Sequence, residues 1–275
     1  MGLRDGRREP FHGRGRLTST IVLIHGAWMS PESWSGWKTR FEARGHQVLA
    51  PSWPFDDRPV SELRQYPDPR LAKIGIAEIV ESYARVITGL AEPPVIIGHS
   101  FGGLFTQMLL DRGLGRAGVA IDPGPMKGVL PGPNALRANL PALAGWRSWS
   151  TVRHMSLGSF RWGWVHTLSA DEQRAAYERY VVPTPGRIFA EVLLAPLTNT
   201  TRIGDGRHAP LLLIAGGLDR TVEPAMVRAA YARQRRSRAP TELREFPGRT
   251  HWICLQEGWE EVADAAIEWA ERNVT

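Results

Sequence analysis

The segment from Val95 to Leu104 constrains the fold of this chain more than any other. It reads Val-Ile-Ile-Gly-His-Ser-Phe-Gly-Gly-Leu, an apolar run that is broken at one serine set between glycines. This pattern predicts a strand, a sharp turn and a helix in immediate succession. The apex residue of such a turn has a strained backbone, and bulky neighbours would make the strand and the helix collide. Gly98 and Gly102 remove that collision, so Ser100 is predicted to project above the end of the strand.

This arrangement is typical of the G-x-S-x-G nucleophile elbow. A serine hydroxyl is a weak nucleophile near neutral pH, so the interpretation requires a general base, a carboxylate that orients the base, and donors for an oxyanion. The simpler alternative for Ser100 is an ordinary helix-capping serine. Because the strand, the glycines and the helix all match the motif, we favour a nucleophilic role.

Strands and helices alternate on both sides of this segment. Short apolar or β-branched runs predict strands at 20–24, 47–50, 95–99, 118–121, 211–215 and 241–246. Apolar residues at helical spacing, with Gly or Pro at the ends, predict helices at 32–44, 76–90, 104–112, 224–235 and 259–272. Strands that alternate with helices imply a mostly parallel sheet with helices on both faces, which is an α/β fold.

The alternation stops between residues 123 and 205. This stretch is rich in Pro, Gly and Trp, and its one clear helix signal is the capping box of Ser169 and Glu172. We interpret residues 123–205 as a lid that is inserted into a core domain formed by 19–122 and 206–275.

A lid has little core of its own, so several of its aromatic side chains should face the cleft and make it apolar. Trp162 and Trp164 are the lid candidates for a substrate pocket, and Trp28, after the first strand, would extend the same wall. The alternative is that these residues serve packing alone. The pattern favours a small hydrophobic molecule as the partner of the cleft.

Three polar side chains follow the later predicted strands: Asp122, Asp219 and His251. Because the carboxyl ends of parallel strands meet at one edge of a sheet, these side chains should lie near Ser100. His251 is the candidate base, since no other histidine follows a late strand, and the simpler alternative is a histidine on a surface loop. Asp122 and Asp219 compete for the role of the orienting carboxylate.

These motifs, together with the loop His25-Gly26-Ala27-Trp28 after the first strand, make the sequence resemble the α/β-hydrolase superfamily. Within it the chain looks most like the lidded serine esterases and lactonases. The resemblance covers residues 20–272 and implies the α/β-hydrolase fold, with a helical lid. Gly-Gly-Leu-Asp, ending at Asp219, matches the commoner position of the acid in this superfamily, so Asp219 is preferred to Asp122.

The resemblance also implies a role for each site residue. Ser100 would be the nucleophile, His251 the general base and then acid, and Asp219 the group that orients the imidazole. The backbone N–H groups of Ala27 and Phe101 would form the oxyanion hole.

The expected reaction is hydrolysis of a carboxylic ester or lactone of a small to medium hydrophobic substrate, through an acyl-enzyme. A serine nucleophile argues against dehalogenases and epoxide hydrolases of similar fold, which use an aspartate. Three alternatives remain open: a C–C bond hydrolase with the same triad, a cofactor-free lyase, and a ligand-binding receptor. The lyases in question use a lid lysine, and the predicted lid has only Lys127.

The formal net charge of +6 comes largely from arginines in the first sixteen residues and at 228–238. These runs are not interleaved with aromatic residues as a base-stacking surface would be, so we expect no nucleic-acid partner. The tail at 1–18 is expected to be disordered. A signal peptide and a membrane span are not expected, because no apolar run reaches about 18 residues.

One cysteine, Cys254, excludes an intrachain disulfide and a cysteine-based metal cluster within this sequence. We interpret Cys254 as a small buried apolar residue. No His, Asp and Glu cluster has the spacing of metal ligands, so the sequence implies no metal or organic cofactor. Together these features favour a soluble cytoplasmic enzyme.

Overall fold

The computed structural model describes residues 19–194, 203 and 208–274, and the predicted disordered tail lies outside these residues. In chain order the strands are β1 (Thr20–Ile24), β2 (Gln47–Leu49), β3 (Val95–His99), β4 (Ala117–Ile121), β5 (Val152–Arg153), β6 (Thr184–Pro185), β7 (Leu211–Gly216) and β8 (Thr241–Phe246). The helices longer than five residues are α1 (Ser35–Glu42), α2 (Val60–Gln65), α3 (Ile76–Thr88), α4 (Phe101–Asp111), α5 (Pro133–Leu143), α6 (Leu157–Gly163), α7 (Ala170–Tyr180), α8 (Arg187–Leu193), α9 (Pro224–Gln234) and α10 (Trp259–Asn273). None of the described helices is long and apolar enough to cross a membrane.

Six strands form a parallel sheet in the order β2-β1-β3-β4-β7-β8. Side chains of successive strand residues point to opposite faces. Accordingly, Val22 and Ile24 belong to one hydrophobic core, while Ile21 and Leu23 belong to the other. Helices cover both faces of the sheet, which explains why the central strands are apolar throughout.

Different helices cover the two faces of the sheet. Apolar residues of α3, α4 and α9 share one core with Val22, and those of α1 and α10 share the other core with Ile21. The parallel arrangement directs the carboxyl ends of all six strands to one edge. The segments that follow β1, β3, β4, β7 and β8 therefore meet there, and the predicted α/β-hydrolase architecture is confirmed.

The stretch between β4 and β7 is helical, with the antiparallel pair β5 and β6 inside it. Helix α7 begins at the predicted capping box, where the N–H of Ser169 donates to Oε2 of Glu172 at 2.8 Å. Helices α5, α6 and α8 were not predicted. Helix α5 contains Pro141, and the other two have seven residues each, so none carries a long apolar period.

Candidate active site

Ser100 stands at the apex of the turn between β3 and α4. Its φ and ψ are 56° and −123°, a conformation that non-glycine residues rarely adopt. A Cβ at Gly98 would overlap the carbonyl of Gly102, and a Cβ at Gly102 would overlap the carbonyl of Ile24. The N–H of Ser100 donates to the carbonyl of Ile121 at 2.9 Å. The two glycines therefore permit the close packing that holds the serine in its strained position.

Ser100, His251 and Asp219 form a continuous hydrogen-bonded relay. Nε2 of His251 lies 3.1 Å from Oγ of Ser100, and Nδ1 of His251 lies 2.5 Å from Oδ2 of Asp219. Each of the three residues is at least 95% buried, with exposures of 5%, 0% and 3% respectively. The relay has the geometry of a nucleophile, a base and an orienting acid.

The loop after β7 fixes the carboxylate of Asp219. Its Oδ1 accepts the N–H groups of Thr221 at 2.6 Å and Val222 at 2.9 Å, and its own N–H donates to the carbonyl of Gly216 at 3.1 Å. Two backbone donors leave Oδ2 free to face His251. Burial raises the pKa of this carboxyl group, and the two donors act against that shift, because hydrogen bonds to a charged form stabilise it.

His251 lies under aromatic side chains. The ring of Trp164 meets it edge-on, with centroids 4.4 Å apart and an interplanar angle of 88°, and the ring of His99 lies 4.7 Å away. This burial lowers the pKa of His251, because a charged imidazolium is poorly solvated there. The resting imidazole is therefore neutral, which is the form that can accept a proton.

Asp122, the other candidate acid, lies beside this relay but outside it. Its Oδ1 accepts the N–H of Gly216 at 2.7 Å, and its Oδ2 has no hydrogen-bond donor among the described residues. Its backbone φ is 40° and its side chain is fully buried. The structure thus places Asp219, and not Asp122, in hydrogen-bonding contact with His251.

The loop after β1 approaches the nucleophile closely. A Cβ at Gly26 would lie 2.7 Å from Cβ and 3.3 Å from Oγ of Ser100, so only glycine permits this contact. The next residue, Ala27, and Phe101 at the start of α4 are both buried. Neither N–H group donates a hydrogen bond to another described residue. Both N–H groups are therefore unpaired within the described part of the chain.

His25 stabilises this loop through a hydrogen bond and a ring contact. Its Nδ1 donates to the carbonyl of Gly26 at 3.0 Å, and its ring stacks on Trp53 with centroids 5.0 Å apart. Its Nε2 lies 4.0 Å from Oδ2 of Asp56, which is also buried. Burial lowers the pKa of His25 to about 4, so this imidazole is neutral.

Ser100 opens into an apolar cavity of about 170 Å³ between the segment after β4, helix α5 and helix α8. Its lining includes Phe101, Met126, Val129, Leu143, Phe189 and Val222. A smaller cavity of about 80 Å³ adjoins it, and Trp28 and Phe189 line this one. The wall beside the nucleophile is therefore apolar, with exposed leucines at its outer rim.

The three tryptophans predicted for the pocket have different surroundings. Trp164 contacts His251, and Trp28 lines the smaller cavity with its backbone at φ 67°. The guanidinium groups of Arg137 and Arg220 lie 4.2 and 5.4 Å from the ring centroid of Trp162. Neither Trp162 nor Trp164 lines the Ser100 cavity, contrary to the prediction. Residues two positions apart on a helical segment do not share a face, which accounts for the separation of Trp162 and Trp164.

His99, Asp122 and His251 bring possible metal-ligand atoms within 4.8 Å of one another. Both ring nitrogens of His251 already face Ser100 and Asp219, however. A metal at this position would have to break the relay, so the arrangement fits a proton relay better than a metal centre. Cys254 is buried, and burial raises the pKa of its thiol, as for an apolar core residue.

Several residues of the site could not be identified from the sequence. Asp56, Trp53 and Phe189 contact it from separate segments, and no local motif marks them. His99 lies within the elbow motif, but the motif does not indicate its contact with the ring of His251. The signal for these residues is their three-dimensional proximity to the elbow.

The alpha/beta hydrolase family model matches residues 21–265, and the chain belongs to this family. Among solved structures, the monoacylglycerol lipase of Paleococcus ferrophilus superposes with a TM-score of 0.65 at 19% identity, covering 92% of this chain and 94% of the lipase. Tomato methylketone synthase I, bound to 2-tridecanone, superposes with a TM-score of 0.65 at 14% identity, covering 94% of this chain and 99% of the synthase. A pyrethroid hydrolase from Sphingobium faniae superposes with a TM-score of 0.60 at 16% identity, covering 93% of this chain and 98% of the hydrolase. No curated protein matches the sequence.

Proposed function

We propose that this protein hydrolyses a carboxylic ester or lactone of a small to medium hydrophobic molecule, through an acyl-enzyme on Ser100. The observation that carries the proposal is the relay from Ser100 through His251 to Asp219, which opens directly into an apolar cavity. The names of the lipase and the pyrethroid hydrolase of similar fold are consistent with ester cleavage.

In the proposed first step, Oγ of Ser100 attacks the ester carbonyl while Nε2 of His251 takes the hydroxyl proton. The ionised Asp219 stabilises the resulting imidazolium through Nδ1–H. The oxyanion would accept hydrogen bonds from the N–H groups of Ala27 and Phe101, and each such donor contributes about 3 kcal/mol to the transition state. The tetrahedral intermediate then expels the alcohol, which takes the proton from His251.

In the second step, His251 takes a proton from water as the water oxygen attacks the acyl-serine. The second tetrahedral intermediate expels Oγ of Ser100, which recovers its proton from His251, and the acid leaves. The overall balance is one ester and one water converted to one acid and one alcohol. All acid and base steps are assigned to a single imidazole, whose burial favours the neutral form at rest.

The size of the cavity suggests how large the apolar group of the substrate is. A dry cavity of about 150 Å³ holds one benzene molecule. The space of about 170 Å³ beside Ser100 therefore suits a phenyl ring or a short alkyl chain. Larger groups would have to extend past the exposed rim residues Leu130 and Leu140.

A lyase that uses a lid lysine is not favoured by these residues. Lys127 lies in the segment between Met126 and Gly128, both of which line the Ser100 cavity, whereas Lys127 does not. A ligand-binding receptor would differ from an enzyme in turnover, since a receptor completes at most slow or single cycles.

The experiment is a panel of p-nitrophenyl esters of increasing acyl length, together with aliphatic lactones, assayed with wild type and Ser100→Ala. Ser61→Ala, an exposed serine on α2, is the matched control. We expect multiple turnovers that Ser100→Ala abolishes and Ser61→Ala retains. Absence of serine-dependent turnover across the panel would overturn the proposal.

A further inference from the structure

Two carboxyl groups are buried beside each other at the carboxyl edge of the sheet. Asp122 follows β4 and Asp219 follows β7, and both carboxyl groups are fully buried, near enough for the charge of Asp219 to raise the pKa of Asp122. Both also hold the peptide of Gly216, whose N–H donates to Asp122 and whose carbonyl accepts the N–H of Asp219. A hydrogen bond between two carboxyls needs a proton on one of them, because a carboxylate only accepts.

The donors around each carboxyl determine which one carries the proton. Asp219 faces three donors: the N–H groups of Thr221 and Val222 and Nδ1 of His251. Asp122 faces one donor, the N–H of Gly216, and its Oδ2 has none among the described residues. Donors stabilise an ionised carboxylate, and two adjacent buried carboxyls cannot both ionise at low cost. The negative charge therefore belongs on Asp219 and the proton on Oδ2 of Asp122.

The other titratable groups near Asp122 agree with this assignment. His99 on β3 and His251 after β8 lie within reach of it, and burial lowers the pKa of both imidazoles, so neither supplies a positive charge. Cys254 is a buried thiol whose pKa is raised, so it adds no charge. Glu223 raises the pKa of Asp219, and the N–H groups of Thr221 and Val222 act in the opposite direction. Burial and the neighbouring Asp219 accordingly raise the pKa of Asp122 well above the ordinary carboxyl value.

We infer that Asp122 is a positioning residue: a neutral carboxylic acid that donates a hydrogen bond from Oδ2 to the carboxylate of Asp219. This bond would hold Asp219 against His251 and withdraw part of its negative charge. The residue type fits the backbone, since the φ of 40° at position 122 favours Asp or Asn over most other non-glycine residues. The kinetic consequences rest on the proposed function, whereas the protonation state does not.

The first test is infrared spectroscopy, which requires no substrate. The carbonyl stretch of a protonated carboxylic acid should appear in the wild-type-minus-Asp122→Asn difference spectrum at neutral pH. Subtraction is needed because burial also raises the pKa of Asp56, so this acid contributes its own band. Asp171→Asn, an exposed carboxylate on α7, is the control and should show no such band. A difference spectrum of wild type and Asp122→Asn that contains only a carboxylate signal would overturn the inference.

The second test is the pH profile of kcat/KM. Asn at position 122 is uncharged and retains a donor. The acid limb of the profile, which reports the pKa of His251, should therefore lie at the same pH as in wild type. Asp122→Ala removes the donor, leaves more charge on Asp219, and should raise the acid limb by about half a unit to one unit. The Asp122→Asn variant should also have a kcat much closer to that of wild type than the Asp122→Ala variant has.

If Asp122 were ionised instead, Asp122→Asn would remove a negative charge close to His251 and lower the acid limb by about one unit. That result would contradict the inference. Should the Ala variant fail to fold, the Asn variant decides the question by itself, through its infrared spectrum and its acid limb. Absence of any turnover would remove the proposed function but leave the infrared result valid.

Discussion

The indole of Trp164 packs edge-on against the imidazole of His251, with ring centroids 4.4 Å apart. Trp164 comes from the stretch between β4 and β7, and His251 follows β8, so this contact joins the stretch above the sheet to the relay. Trp164 is 2% exposed and also contacts Phe160 and Trp252. It is therefore one of the groups that keep water away from the proposed base.

Trp164→Ala is predicted to admit water to His251. Burial lowers the pKa of His251, so exposure should move that pKa upward toward its usual 6.5. The acid limb of kcat/KM should then shift to higher pH, by about one unit, and activity at pH 6 should fall accordingly. Trp162→Ala is the matched control, because Trp162 stacks on arginines and does not contact His251. An unchanged acid limb in folded Trp164→Ala protein would count against this role.

The two candidate acids are predicted to behave differently. Asp219→Asn should lower kcat by about 10⁴-fold, because an amide favours the wrong imidazole tautomer. Asp122→Asn should lower kcat far less, since it is Asp219, and not Asp122, that hydrogen-bonds His251. Steady-state kinetics of both variants on one ester decides the matter. If Asp219→Asn kept its turnover while Asp122→Asn lost it, the assignment of the acid would be reversed.

Gly26→Ala is predicted to damage the oxyanion site. The added Cβ would lie 2.7 Å from Cβ of Ser100 and would displace the loop that carries Ala27. Because removal of one oxyanion donor costs roughly 10²- to 10³-fold in kcat, we expect a loss of that order with a smaller change in KM. Gly158→Ala is the control, since an added Cβ there meets only Oγ of Ser156, at 3.8 Å. Wild-type kcat in folded Gly26→Ala protein would contradict this placement of the oxyanion loop.

His25 is predicted to make the free energy of unfolding depend on pH. Its pKa is about 4 in the folded protein and 6.5 in the unfolded chain, so the unfolded chain binds the extra proton between these values. The contribution of His25 to the free energy of unfolding is fully present above pH 6.5 and is lost as the pH falls toward 4. The loss at pH 5 is about 2 kcal/mol. Urea unfolding at pH 7.5 and pH 5 measures this loss. His25→Asn, which keeps a donor for Gly26, should reduce the loss by about that amount, and an equal loss in both proteins would refute the prediction.

Val129→Phe is predicted to narrow the cavity beside Ser100. Val129 is buried and lines it, so a larger ring would occupy part of its 170 Å³. The kcat/KM ratio of a benzoyl or hexanoyl ester to the matching acetyl ester should fall by about tenfold or more, because the larger group loses its apolar site. Equal effects on both esters would indicate that the acyl group does not enter this cavity.

The parts of the fold with strong local signals could be predicted from the sequence. The elbow at Ser100 follows from glycines at fixed offsets, and the strands at Val95 and Leu211 follow from unbroken apolar runs. These features depend on neighbouring residues alone. Because the strands are parallel, Asp219 and His251 lie at the same carboxyl edge of the sheet as Ser100. Their proximity to Ser100 could therefore be predicted from the sequence.

The remaining features depend on packing between distant segments. Helix α5 contains Pro141, and α6 and α8 are too short for a periodic signal, so three helices of the predicted lid were missed. The sequence could not separate Trp164, which contacts His251, from Trp162, which stacks on arginines. The pairing of Asp122 with Asp219 likewise joins residues from two different strand ends.

The most direct test of the central claim is mass spectrometry of the protein quenched with acid during turnover of a p-nitrophenyl ester. We predict that the peptide containing Ser100 gains the mass of the acyl group and that Ser100→Ala protein gains none. His251→Ala or Asp219→Asn should slow both formation and hydrolysis of this species. Turnover with no acyl mass on Ser100, or the same adduct in Ser100→Ala protein, would contradict the account.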